Sequence, residues 1–205
     1  IVKLIADKTR VWQEIQKLKQ EGLKIYGNEF ASLDTMLMSI VRDVSRGKTD
    51  VVFIDYIQLM SAKSGMGETE KLDYISRELR LLAGRTNVPI FLLSQLSNES
   101  VNNPRETAGF RGSGMIAMVA NVAMVIRPDV EMKNRKLLHK DGIEIPTKID
   151  IIKSQDSAVG YISCGFLGKT GVFRSLDNDT YNSIKDRADN YGDDFSDFKL
   201  SEDDD

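Results

Sequence analysis

The chain has 205 residues, 41% hydrophobic and 29% charged, proportions that suit one soluble domain with a sizeable core. No apolar run approaches a membrane-spanning length, no signal pattern opens the chain, and a lone Cys164 gives no support to a disulfide framework or a metal cluster. The formal charge of −3 is unevenly spread: residues 186–205 hold nine acidic side chains against Arg187 and Lys199, so the remainder carries +4, which is compatible with a nucleic-acid partner.

In chain order, Val11, Ile15 and Leu18, with Trp12 beside them, suit a short amphipathic helix. A second helix follows Ser32 as N-cap, marked by Leu37, Val41 and Val44. Gly47-Lys48-Thr49 resembles the end of a phosphate-wrapping G-x-x-x-x-G-K-[ST] turn, but Arg42 stands where the first glycine belongs and a strand follows instead of a helix. It reads as an ordinary turn.

Val51 to Ile54 is an apolar run without polar alternation, as expected of a strand buried on both faces of a parallel sheet. Asp55 comes directly after it, at the carboxyl edge where open α/β folds bind ligands. Nucleotide hydrolases place an Mg²⁺-holding aspartate there; a core strand ending in a turn aspartate fits the pattern equally well. Leu72, Ile75, Leu79 and Leu82 recur at helical spacing, and Asn87 and Pro89 close that helix. Val88 to Leu93 is a second apolar run, followed by Ser94 and Gln95. Strand, crossover helix and strand form a βαβ unit that delivers both strand ends to one edge. Asp55 for a metal and Gln95 for a phosphate or a water would then make a nucleotide-hydrolysis pair, against the plainer reading of Gln95 as a polar strand cap.

Ser97 to Ser113 has the composition of a long loop, with Arg105 and Arg111 and the run Phe110-Arg111-Gly112-Ser113-Gly114. Small residues beside an arginine, ahead of a helix starting near Ser113, suit a phosphate backbone read without regard to base; a surface loop with solvated arginines is the alternative. Val122 to Ile126 is expected as a third core strand, and His139 as a solvated residue in the charged segment from Glu131 to Asp141. Ile149, Ile151 and the stretch from Val159 to Phe166 suggest an edge hairpin carrying Cys164 as a small core residue. Gly168-Lys169-Thr170 has Ser163 at the first-glycine place and is again a turn. Two regions follow: residues 1–180 as one domain, and 186–205 as an acidic, disordered tail.

Four blocks in order carry a family resemblance: VVFIDYIQLM, ISRELRLLA, NVPIFLLSQL and FRGSGMI. Together they resemble the motor portion of DnaB-type replicative DNA helicases, over roughly Ile1 to Asn178. The resemblance implies an α/β fold: a RecA-like P-loop NTPase core with a mostly parallel sheet, incomplete at its N-terminus, plus a C-terminal β-hairpin and the acidic tail. It implies that Asp55 belongs to the Walker B element and helps hold Mg²⁺ through water, and that Gln95 senses the ATP γ-phosphate. Arg111, Gly112 and Gly114 match the loop that holds single-stranded DNA. Lys153 and Gln155 fall on the K-x-R-x-G segment that reaches into a neighbouring subunit, with glutamine where the family has its arginine. No arginine lies between Arg135 and Arg174, so a shift in alignment does not restore one. Ala117, Val119 and Asn121 occupy the helix where the family usually carries acidic residues.

ATP and Mg²⁺ as cofactors, a homo-hexamer moving 5′ to 3′ on single-stranded DNA, and primase and a helicase loader as partners follow from the resemblance alone. So does the cytoplasm of a bacterium or of a phage's bacterial host, with no membrane. The chain opens on IVKLIADKTRVW without Met and holds no Walker A motif. In the family that motif lies upstream of the region matching Ile1, so the expectation is a fragment that does not hydrolyse ATP by itself. The alternative reading is a non-catalytic RecA-core module for DNA binding or ring assembly; ATPase activity of the complete protein separates the two. A recombinase-type or clock-type RecA core fits less well, because Asp55-Tyr56 and Ser94-Gln95-Leu96 occur together with FRGSG.

Overall fold

The computed structural model describes residues 8–20, 22–27, 31–96 and 115–191. The chain divides into two compact units, one of Leu18–Ala123 and one of Met124–Asp205 with Ile1–Lys17.

Helix α1 spans Lys8–Gln20, and its Trp12 is exposed. In the first unit, α2 (Leu33–Ser45) starts after Ser32, whose backbone is extended but whose side chain makes no cap bond; Asp34 in the first turn suits the helix dipole. The buried face of α2 is set by Leu33 and Ile40, while Val41, expected on the apolar stripe, is exposed. Gly47 then takes φ +62° in an ordinary turn, with its N–H on the Val44 carbonyl, so the first Gly-Lys-Thr triplet is not a phosphate loop.

Strand β1 (Val52–Ile54) pairs in parallel with β2 (Ile90–Leu92), in the register Val52 to Ile90, Phe53 to Phe91 and Ile54 to Leu92. The crossover between them is α3 (Glu68–Thr86), closed by Asn87 in the left-handed region at φ 54°. Leu72, Ile75, Leu79 and Leu82 are all buried on α3, as their spacing predicts. They meet Leu33, Ile54, Ile57, Met60 and Ile116 in one apolar core. The short helix α4 (Met115–Val119) packs on α3 and contributes Ile116.

Burial of the β1–β2 pair on both faces does not hold among the described residues. Val52, Ile54, Ile90 and Leu92 face the core, whereas Phe53 and Phe91 stack on the opposite face at 4.8 Å and remain 65% and 45% exposed. Alternation along a pleated strand sends successive side chains to opposite faces, and the helices of this core cover one of them.

The second unit is built on a four-stranded sheet in the order β3 (Val122–Pro128), β4 (Ile145–Ser154), β5 (Gly160–Leu167) and β6 (Val172–Ser175). The expectation of a mostly parallel sheet is therefore corrected: β4–β5 and β5–β6 are antiparallel. Their connections are too short for the crossover that parallel neighbours need. β3 lies beside β4 in this sheet and alternates, with Ala123 and Val125 buried and Val122, Met124 and Ile126 exposed. The second Gly-Lys-Thr triplet is the β5–β6 turn, where Thr170 N–H meets the Leu167 carbonyl.

Two helices go beyond the expected elements. α5 (Met132–Asp141) ends on Gly142 at φ +75° and carries His139 exposed. α6 (Asn178–Asn190) is capped by Asp177, whose carboxylate accepts from the Thr180 N–H at 2.8 Å. Residues 186–190, expected in the disordered tail, form its last turns, and Ala188 is buried against Leu138 and Ile145. Residues 192–205 lie outside the described residues. Cys164 is a buried free thiol on the Thr147 carbonyl, and burial raises its pKa.

Candidate functional site

The parallel pairing of β1 and β2 carries both strand ends to the same edge, as the βαβ reading requires. Asp55 follows Ile54 directly and is exposed there. The Asp55–Tyr56 peptide is cis, and Tyr56 leads into a 3-10 turn over Ile57–Leu59. That turn is anchored because the Ile57 side chain is fully buried in the core. Its backbone also prolongs the sheet: Leu93 N–H donates to the Ile54 carbonyl at 2.9 Å, and Ile57 N–H to the Leu93 carbonyl at 3.1 Å. Gln95 stands three residues past β2 and is exposed at this edge.

Gln58, in the middle of the 3-10 turn, joins the two strand ends through its side chain. Its Nε2 donates to Ser94 Oγ at 3.0 Å, and its Oε1 accepts from the Gln95 N–H at 3.4 Å. Gln58 is not among the site residues expected from the sequence. The available signal was a polar residue inside the apolar run Ile57-Gln58-Leu59-Met60.

Asp55 is the site's carboxylate. Mg²⁺ is commonly held by one or two carboxylates, with phosphates and water completing the shell. A single exposed aspartate at a strand end fits that demand. It does not fit an all-protein metal cage, and among the described residues no group of three or more His, Cys, Asp or Glu is placed to make one.

The remaining expected residues fall elsewhere. Lys153 lies near the end of β4 and is half-buried; Gln155 is exposed in the bend that follows. Ser154 and Ser157 brace that bend, with their hydroxyls 2.7 Å apart. Both expected residues belong to the second unit. Arg111, Gly112 and Gly114 lie outside the described residues.

Ionic clusters elsewhere fasten elements together. Asp43 on α2 accepts from Lys24 Nζ at 2.9 Å and Tyr26 Oη at 2.7 Å; these bonds outweigh its burial and hold its carboxyl well below the usual range. In the second unit a cleft of about 560 Å³ is lined by Arg127, Asp129, Glu131, Lys185 and Asp189. Most of its charges are paired: Asp129 accepts from Lys148 Nζ at 2.6 Å and Tyr181 Oη at 2.7 Å, and Lys185 Nζ meets the Asp189 carboxylate at 2.6 Å. Burial opposes ionisation of Asp129, but Lys148 and Tyr181 overcome it and lower its pKa. This cluster joins β3 and β4 to α6.

Residues 3–175 match the family model described as the DnaB-like helicase C-terminal domain. A probable plasmid replicative DNA helicase of Chlamydia muridarum is 33% identical over 120 residues, covering 55% of this chain and 27% of that protein. Among solved structures, one described as an ATPase domain is similar with a TM-score of 0.59 and 27% identity, over 71% of this chain and 52% of that one. A DnaB-like replicative helicase, described with its interactions with primase, gives a TM-score of 0.57 and 28% identity, over 71% of this chain and 36% of that one. The chain thus spans about a quarter of the curated relative's length.

Proposed function

From the premise that this chain belongs to the DnaB-like helicase C-terminal domain family, we propose that it is part of the motor of an ATP-dependent replicative DNA helicase. The observation that carries the reading is the parallel β1–β2 pair, which brings Asp55 and Gln95 to one sheet edge. In this reading Asp55 holds Mg²⁺ through water, and the Gln95 amide meets the γ-phosphate and the water that attacks it. When bound there, Mg²⁺ would neutralise the charge that develops on the phosphates. Lys153 and Gln155 act across a subunit boundary in a homo-hexameric ring, and Arg111, Gly112 and Gly114 grip the phosphates of single-stranded DNA. Stepping 5′ to 3′, recruitment of primase and of a loader, and work in a bacterial cytoplasm belong to the same reading. Support for a primase partner comes from the solved relative described with primase. No described helix is long and apolar enough to cross a membrane.

The test is ATP hydrolysis by the intact gene product, with and without single-stranded DNA. Asp55→Asn and Gln95→Ala should each lower kcat by roughly 10²-fold or more while the protein still assembles, as expected when groups that act in the transition state are removed. Normal turnover in both variants would show that this edge is not the nucleotide site. Gln155 supports a second reading, a non-catalytic ring or DNA-binding module, because a neutral amide does not offset transition-state charge as an arginine does. DNA binding without hydrolysis by the intact protein would favour that reading.

A further inference from the structure

Resting on the nucleotide reading of this edge, we infer that Gln58 is a positioning residue that clamps the Ser94–Gln95 peptide onto the end of β1. The backbone ladder between the strands runs through Ile54 to Leu93 and Leu93 to Ile57. The next amide along, Gln95 N–H, turns to the Gln58 side chain. Gln58 Nε2 meets the neighbouring Ser94 hydroxyl at 3.0 Å, so one planar group holds two consecutive residues. Two-point attachment restrains the direction in which Gln95 leaves the strand.

The chemistry suits a primary amide in particular. It offers a donor and an acceptor on one rigid plane; a carboxylate has no donor, and a thioether offers neither in useful strength. The clamp's base is anchored, because Ile57 and Met60 on either side of Gln58 are buried in the core. The 3.4 Å contact lies at the long limit of hydrogen bonding and has room to shorten when the site fills. Gln95 is also next to the last described residue before the segment that carries Arg105 and Arg111.

Two measurements decide the inference. The first uses this chain and needs no nucleotide: hydrogen exchange of peptides covering 93–96 and 72–82 in Gln58→Met, in Ser94→Ala and in the double variant. Either single change should speed exchange over 93–96 by about fivefold or more, with 72–82 unchanged and the double variant no faster than the singles, since both remove one linked unit. Unchanged exchange over 93–96 overturns the clamp. If Gln58→Met loosens 72–82 as well, Ser94→Ala decides by the same criterion.

The second is turnover by the intact gene product. Gln58→Met should lower kcat by roughly 10- to 100-fold, the scale of a misplaced reacting group, with KM for ATP within about twofold. An unaltered kcat, or losses that only track a lowered Tm, overturns the positioning role. If Gln95→Ala leaves turnover intact, the nucleotide reading fails, and the exchange experiment still decides whether Gln58 clamps the strand end.

Discussion

Gln155 is exposed in the bend after β4, at the position where the resemblance requires an arginine, and Lys153 precedes it on the strand. An arginine acting on a neighbour's nucleotide is worth roughly 10³ to 10⁵ in rate, far beyond what a neutral amide supplies. Gln155→Arg in the intact gene product should therefore raise kcat by about tenfold or more, with little change in stability for an exposed position. Unchanged turnover, measured beside a confirmed ring, would assign the transition-state charge to another group. At the same scale Asp55 and Gln95 were legible because each ends an apolar run, a pattern that needs no partner to recognise. Gln58 was not, because its bonds to Ser94 and Gln95 reach residues far away in sequence.

Among the elements, α3 follows its pattern most closely. Leu72, Ile75, Leu79 and Leu82 lie on one face of a helix with no competing apolar stripe, and all four are buried. Ile75→Ala should cost about 2–5 kcal/mol, the usual range for emptying a packed aliphatic site. On α2 the pattern is ambiguous, since Leu33, Met36, Leu37, Ile40, Val41 and Val44 offer two overlapping stripes. Packing selects the one through Leu33 and Ile40. Val41→Ala should then cost under about 0.5 kcal/mol, as surface changes usually do. Urea unfolding of the two variants checks both, and comparable losses would mean that the burial of α2 is wrongly assigned. α6 carries only Tyr181, Ile184 and Ala188 as its buried stripe among polar residues, so its composition resembles the acidic segment beyond it. Asn134 on α5 secures it, donating to the Ala188 and Asp189 carbonyls at 3.1 and 2.7 Å. Those carbonyls belong to the unsatisfied last turn of a helix, and a partner on another element meets them.

In each unit a carboxylate is held ionised by residues distant in sequence: Asp43 by Lys24 and Tyr26 in the first, Asp129 by Lys148 and Tyr181 in the second. Both have folded-state pKa values below those of the unfolded chain. Their contribution is therefore present above the unfolded aspartate value of about 3.9 and is lost as pH falls through the folded values. Urea midpoints should drop below about pH 4, and Asp129→Asn should weaken the second unit by about 1–3 kcal/mol at neutral pH and reduce its acid sensitivity. An acid profile unchanged by that substitution would remove Asp129 from the account. The sequence by itself determined the βαβ unit, the residues at its two strand ends, the turn character of both Gly-Lys-Thr triplets and the family. Periodicity, strand-end polarity and motif spacing are local properties, readable wherever the chain runs. Tertiary structure decided which face of α2 is buried, that the later strands form an antiparallel sheet, that 186–190 are helical, and that Gln58 ties the strand ends together. Each of those depends on which distant segments meet, because a face becomes buried and a side-chain amide finds its donors only after the strands have paired.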